Sequence, residues 1–562
     1  MSKRGLIASA CALALVALAC GRESGTVSGP KVSAPSGGGK AGGAIVLGAE
    51  QFPECLNPIQ SCANASWEGW AVNQHILPKA MIITPKGDFD AGPLLDRAPT
   101  LGNGDITERP FTVRFKINPK AVWDDGTPIT SADFQFTWQA HLKTIGTLFT
   151  VGYDKITSID TSDPHTAVVH FKEPFADWHD LFGGNTDAVL KKTAFPGGPE
   201  VSKQMITSIP FSGGAWKIQS YTKNQLILVQ NPRWYGPKPH FDQITIVPRE
   251  ESSTELTSLL SGEISMIYPQ PSVEMPQRLR SNPNVKFVVG GGTTYEGLWL
   301  NLAKPPLDDK AVREALFWAT DRQAVVDAIA KPINPKADVL NCAGWVPNVG
   351  KWCDNSQFAD FHYDASKAKS LLEKDGWKLG SDGIYAKNGK RLSLEFKTTA
   401  GNKGREDTQA LLKEKWKAAG IEMVIKNEAS PTPIFTDTLP KGNFSVAEYA
   451  QVASPDPSVT SIYDCAQIPT AKNGYSGQNL DRWCNAEVSR LVHEADQTVD
   501  DAKRLDLTHR IGALVRQDLV WLPLYQKPLI TAWRTDKIAG PVGKYNNTAL
   551  SSFFNVEEWY RP

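Results

Sequence analysis

The chain of 562 residues has no surplus of either charge: Lys and Arg together number 60, and so do Asp and Glu. A nucleic-acid binder needs a net basic footprint, so nucleic acid is excluded as a partner. Long apolar runs are also missing. Mean hydropathy is −0.30, and the single apolar stretch lies in the first 19 residues, which excludes a multi-span membrane protein. CxxC and His-rich spacings do not occur, so no metal site is expected. Nor is there a GxSxG elbow, an HExxH, a P-loop or a GxGxxG after a strand; each would have placed a nucleophile, a zinc or a phosphate cradle. Ser220–Lys223 and Ser366–Lys369 match SxxK without an SDN or KTG partner, and Ser366 sits where a helix start explains it. Asp124-Asp125 and Glu250-Glu251 read as turn or surface carboxylates, and His165 and His170 as structural side chains of a strand. No period of about 20–50 residues repeats. The sequence therefore predicts no enzyme and no cofactor.

What is present begins at the leader. Met1–Arg4 carries two positive charges, Gly5–Ala19 is small and apolar, and Cys20-Gly21 follows. A bilayer span needs roughly 20 apolar residues, so 1–19 reads as a signal peptide. Val16 to Cys20 resembles a bacterial lipobox, with Cys20 lipidated, although Ala17 stands where leucine is preferred. Cleavage near Ala19 without a lipid is the other reading. Residues 20–43 are mostly Gly, Ser and Pro. They cannot bury enough surface to offset their ordering entropy, and they read as a flexible tether. A lipid on Cys20 would hold the folded body just outside a bacterial membrane. Six further cysteines fall into close pairs, Cys55/Cys62, Cys342/Cys353 and Cys465/Cys484. In an exported chain they read as disulfides, with neighbour pairing preferred and the connectivity open.

The body mixes both periodicities. Phe111, Val113, Phe115 and Ile117 alternate as a strand, as do Leu392, Leu394 and Phe396, and Ile421, Met423 and Ile425. Thr130 to Asp133 form a capping box before a helix with Phe134, Trp138 and Leu142 on one face. Val312, Leu316 and Ala319 make another stripe. So do Ala368, Leu371 and Leu372 before Gly376, and Thr408, Leu411, Leu412 and Trp416 before Gly420. Each glycine stands where a helix end takes a left-handed residue. Val488 to Val492 and Leu505 to Leu519 also read as helical. Alternating helices and strands predict an α/β class.

One series of segments resembles a known family over nearly the whole body. Ala121-Val122-Trp123-Asp124-Asp125-Gly126-Thr127-Pro128, running into Thr130–Phe134, resembles the "W/F-x-DGxP" turn and capped helix of solute-binding proteins of peptide/nickel-type ABC transporters. Gly213–Ile218 and Asn231–Tyr235 resemble that family's "GPYxL … NPxYW". Ser261–Met266 resembles its "xGExDxx". Leu300-Asn301, Pro306–Asp309, Val312–Ala315 and Thr320–Arg322 resemble "LN … PFxDxRVRxAxxxAIDR". Tyr363–Trp377 resembles "YDPxKAKxLLxxAGW", and Leu522–Tyr525 its "xPLY" strand.

The resemblance implies an α/β periplasmic-binding-protein-like fold of class II (cluster C), with two lobes, three domains and a ligand cleft between the lobes. Domain I would be 44–79, 206–292 and 531–562, domain II 80–205 and domain III 293–530. Strands near Thr293–Trp299 and Lys527–Trp533 would form the hinge. It implies a monomer that captures di- or oligopeptides or similar solutes and delivers them to permease subunits. Its ligand-facing loops would supply Gln51, Phe52, Glu54, Tyr295, Trp299, Thr399, Arg405, Tyr449, Gln451, Ala453 and Asp456. Tyr295 and Trp299 read equally well as hinge-strand core. Cys465, Asn479, Trp483 and Cys484 resemble the paired cysteines of dipeptide-binding relatives. Peptide binders carry an aspartate three residues before an acidic-Pro pair, where Ala453 precedes Asp456-Pro457. Their carboxylate-anchoring arginine falls near Thr399, with Arg405 further on. With both anchors absent, the expected lining is neutral polar and aromatic. A modified peptide or an oligosaccharide, or a sensing role on the same fold, is the alternative.

Overall fold

Alternation and capping build the elements in order. The computed structural model describes residues 39–562 except 64–65, 85–88, 148–149, 185–186, 346–351, 430–432, 453–457 and 545–550. The leader, Cys20, Ala453 and Asp456 lie outside the described residues. Strand β1 (Ala44–Ala49) buries Ile45, Leu47 and Ala49. Then come β2 (Ile106–Glu108), β3 (Phe111–Lys116), helix α1 (Ser131–Lys143), β4 (Ile156–Asp163) and β5 (Thr166–Phe171). Strands β6 (Trp216–Thr222), β7 (Gln225–Gln230) and β8 (Gln243–Pro248) precede α2 (Ser252–Ser261) and β9 (Met266–Ile267). The long β10 (Val285–Leu300) leads into α3 (Lys310–Ala319), α4 (Ala365–Lys374), β11 (Ser393–Lys397) and α5 (Lys403–Ala418). The chain continues through β12 (Glu422–Ile425), β13 (Val446–Val452), α6 (Ala486–Gln497), α7 (Asp501–Asp518) and β14 (Trp521–Arg534).

Among the described residues one sheet has ten strands, ordered β12-β11-β13-β10-β14-β9-β1-β8-β7-β6. β1 is parallel to β8 and β9, whereas β10 is antiparallel to β13 and β14. A separate four-stranded sheet, β2-β3-β5-β4, sits beside α1. Apolar burial falls into two main bodies. The first lobe's cluster joins residues from Ile45 to Tyr268 with Leu529 to Trp559, and it runs unbroken through the small sheet. The second lobe's cluster runs from Tyr295 to Tyr525. β10 and β14 carry the chain between them.

Local chemistry explains the joints. The Thr130 backbone N–H donates to Asp133 Oδ2 at 2.9 Å, closing the capping box of α1. Gly376 and Gly420 have φ of +86° and +82°, the left-handed ends expected after α4 and α5. The buried face of α1 differs from the expected stripe: Phe134, Phe136, Thr137, Ala140 and His141 are inside, while Leu142 is exposed. The reason is a second neighbour, because Thr137 Oγ1 also accepts the Leu190 N–H at 2.8 Å. Ile425 is exposed as well, since β12 is an edge strand with one neighbour. The cysteines pair as neighbours: Cys55–Cys62, Cys342–Cys353 and Cys465–Cys484.

Candidate functional site

The central strands and α5 bring charge to the place where the lobes meet. β10 contributes Glu296, β14 contributes Lys527, and the first turn of α5 contributes Arg405. Asn402 caps that helix by accepting the Arg405 N–H at 3.3 Å. Arg405 Nε donates to Glu296 Oε2 at 3.1 Å, Nη2 to Oε1 at 3.0 Å, and Nη1 to Thr399 Oγ1 at 3.2 Å. Lys527 Nζ lies 3.5 Å from Glu296 Oε1 and also donates to Gln270 Oε1. Gln270 comes from the first lobe, and Asn402 Nδ2 of the second lobe reaches the same oxygen at 3.4 Å. A cavity of about 10 Å³ remains between Gln270, Glu296, Asn402, Arg405, Tyr525 and Lys527, room for about one water molecule.

Burial governs the electrostatics. Burial opposes ionisation of Glu296, yet Arg405 and Lys527 hold its carboxyl below the ordinary range. Burial lowers Lys527, with Glu296 opposing the shift. Glu448 on β13 is pushed well up by burial and then by Glu296. Glu50, at the end of β1, is pushed up to about 7 by burial, although Trp67 Nε1 donates to it. Burial and the neighbouring Glu50 raise Glu255 well above its usual value. Carboxylates thus outnumber cations here, and burial favours the neutral form of Glu50, Glu255 and Glu448.

One prediction follows from Glu50. Its folded pKa lies above its unfolded value, so the native state binds the extra proton and stability falls as pH rises from about 4.5 to about 7. Glu50→Gln keeps an acceptor for Trp67 and removes the charge. Its stability relative to the parent should rise across that window, by on the order of 2 kcal/mol. Urea midpoints at pH values bracketing the window would show it; a constant difference would contradict it.

The sequence-expected residues are only partly brought together. Tyr295 and Trp299 are fully buried, and Trp299 stacks on Trp521 at 4.8 Å and on Tyr449 at 5.0 Å. Together they form second-lobe core, the alternative reading of the hinge strand. Gln451, half-buried, donates to Gln478 at 3.2 Å. Phe52 stacks on Tyr221 in the first lobe, Gln51 is half-buried, and Glu54 is exposed. Thr399 meets Arg405 as described. Arg405, expected among the ligand-facing residues, is instead paired in a buried charge cluster with Glu296, which also holds Lys527. Sequence reasoning missed those partners. Their signal was a lone acid inside the apolar run Tyr295–Leu300 and a lone base inside Leu522–Ala532.

A family model described as bacterial extracellular solute-binding proteins, family 5 middle, matches residues 99–469. This chain belongs to that family. It is one of solute-binding proteins rather than enzymes, acting outside the cytoplasm. Among its relatives, the oligopeptide-binding protein OppA of Mycobacterium tuberculosis is 26% identical over 506 residues, spanning 88% of this chain and 81% of that one. The probable D,D-dipeptide-binding periplasmic protein DdpA of Escherichia coli is 25% identical over 518 residues, spanning 91% and 93%. In structure, the periplasmic EDTA-binding protein EppA superposes with a TM-score of 0.83 at 21% identity, over 94% of this chain and 98% of that one. The oligopeptide-binding protein AppA of Bacillus subtilis, solved with a nonapeptide, gives 0.79 at 21% identity, over 93% and 100%. These likenesses establish the two-lobed binding-protein fold. Among the described residues no helix is long and apolar enough to cross a membrane.

Proposed function

We propose that this chain is the extracytoplasmic binding component of an ABC importer, capturing di- or oligopeptides or similar solutes between its lobes for delivery to a permease. Signal peptide 1–19 would direct export and be removed, and a lipid on Cys20 with tether 20–43 would then hold it at the bacterial membrane as a monomer. Domains would run as 44–79, 206–292 and 531–562 (I), 80–205 (II) and 293–530 (III). The relatives named for oligopeptides and D,D-dipeptides support the ligand class.

The observation that carries the reading is the commitment of both buried cations. Arg405 and Lys527 are spent on Glu296 and Gln270, so neither is spare for a solute carboxylate. Recognition then rests on hydrogen bonds, about 0.5–1.5 kcal/mol each. Calorimetry with di- to pentapeptides over a salt series tests this, and the dissociation constant should stay nearly flat. A steep weakening with salt would expose a charged anchor and overturn it.

A further inference from the structure

The lobes touch a second time, away from Gln270 and Asn402 in the chain. On the first lobe stand Ala176 and Asp177, between the core side chains Phe175 and Trp178. Opposite are the end of α6 and the first turn of α7. The Ala176 N–H donates to the Asp496 carbonyl oxygen at 2.6 Å. Arg504 Nη2 donates to Asp177 Oδ1, and the two side chains are only 4% and 5% exposed. Gln497 Nε2 donates to Glu173 Oε2 at 2.7 Å on the rim. The Asp496 carboxylate is itself fixed by Ser458 Oγ and Thr460 Oγ1, both at 2.6 Å.

We propose that Asp177 and Arg504 form a latch that sets the balance between open and closed lobes. Neither lobe's core contains the pair. Asp177 lies in a connecting segment before the short turn Trp178–Asp180, and α7 packs into its own lobe through Leu507, Ile511 and Val515. When the lobes part, both charges regain water. When they meet, both lose it and each becomes the other's partner, so the contact is all-or-none and intolerant of a missing member. A contact of this kind changes the apparent affinity of a cleft without touching the solute, by changing the fraction of molecules closed. The inference rests on the two-lobed capture reading, and its test needs no solute, so the two can fail separately.

Hydrogen exchange on the full chain, with nothing added, reads the latch. In Asp177→Asn, amides at the other lobe contact, in segments carrying Gln270 and Gly401–Arg405, should exchange roughly tenfold faster. Those of α7 between Leu507 and Val515 should not change. Exchanging the charges, Asp177→Arg with Arg504→Asp, should restore most of the protection. Gln497→Ala, a rim change that leaves both cores intact, should shift the remote segments in the same direction by about twofold. Changes confined to the neighbourhood of 177 and 504 would overturn the proposal. So would a Gln497→Ala protein with unaltered remote segments, even if the ion-pair variants misfold.

Discussion

Arg405→Met is expected to destabilise the protein by about 3–5 kcal/mol, because it leaves the Glu296 carboxylate buried with Lys527 as its remaining cationic partner. Removing every member is a different experiment. Arg405→Met with Glu296→Met and Lys527→Met should recover most of the loss, since three apolar side chains leave no unpaired charge. The single variant also carries a pH signature. Without its guanidinium, Glu296 has a folded pKa above its unfolded value, so it favours the protonated form and its penalty grows as pH rises. Urea midpoints at acidic and neutral pH would read both effects. A loss below 1 kcal/mol, or one that does not depend on pH, would mean the cluster is solvated rather than buried.

The second large effect lies beside β10, where Trp299 packs. Trp521 is fully buried, stacks on Trp299 at 4.8 Å, lies 5.5 Å from Tyr295, and donates from Nε1 to Tyr463 OH at 2.9 Å. Trp521→Ala opens a cavity and removes one of that hydroxyl's two partners, leaving its donation to the Ala343 carbonyl oxygen at 3.2 Å, at about 3–5 kcal/mol. Gly297 faces the same ring, and a Cβ there would stand 2.4 Å from it. Gly297→Ala alone should therefore be costly through overpacking. The two changes together should cost clearly less than their sum, because the vacated ring makes room for the methyl group. A strictly additive double variant would show that the two sites do not share one space.

How much of this was legible depended on whether a signal is local. The Thr130–Asp133 capping box, the left-handed Gly376 and Gly420, and the neighbour pairing of the cysteines are short-range chemistry, and the structure shows each of them. The Asp125–Phe134 segment and its companions carried the family because turns and caps recur at fixed spacing. The charge cluster was not legible in the same way. Glu296 reaches Arg405 across 109 residues and Lys527 across the β10/β14 pairing. That pairing slips register between Gly291 and Tyr295 and again between Glu296 and Gly297. Periodicity cannot say which residues face each other across such a shift. Leu142 was misplaced for a related reason: a helical stripe shows which residues share a face, but not that a second segment covers the neighbouring face of α1.

The central claim is that the two lobes close on a small solute. Native mass spectrometry of the full chain, purified without added ligand and again after incubation with a mixture of di- to pentapeptides, tests it most directly. The account predicts a one-to-one complex with a low-mass solute, retained or taken up, that is lost when the protein is denatured. The bare protein mass in both samples would contradict it.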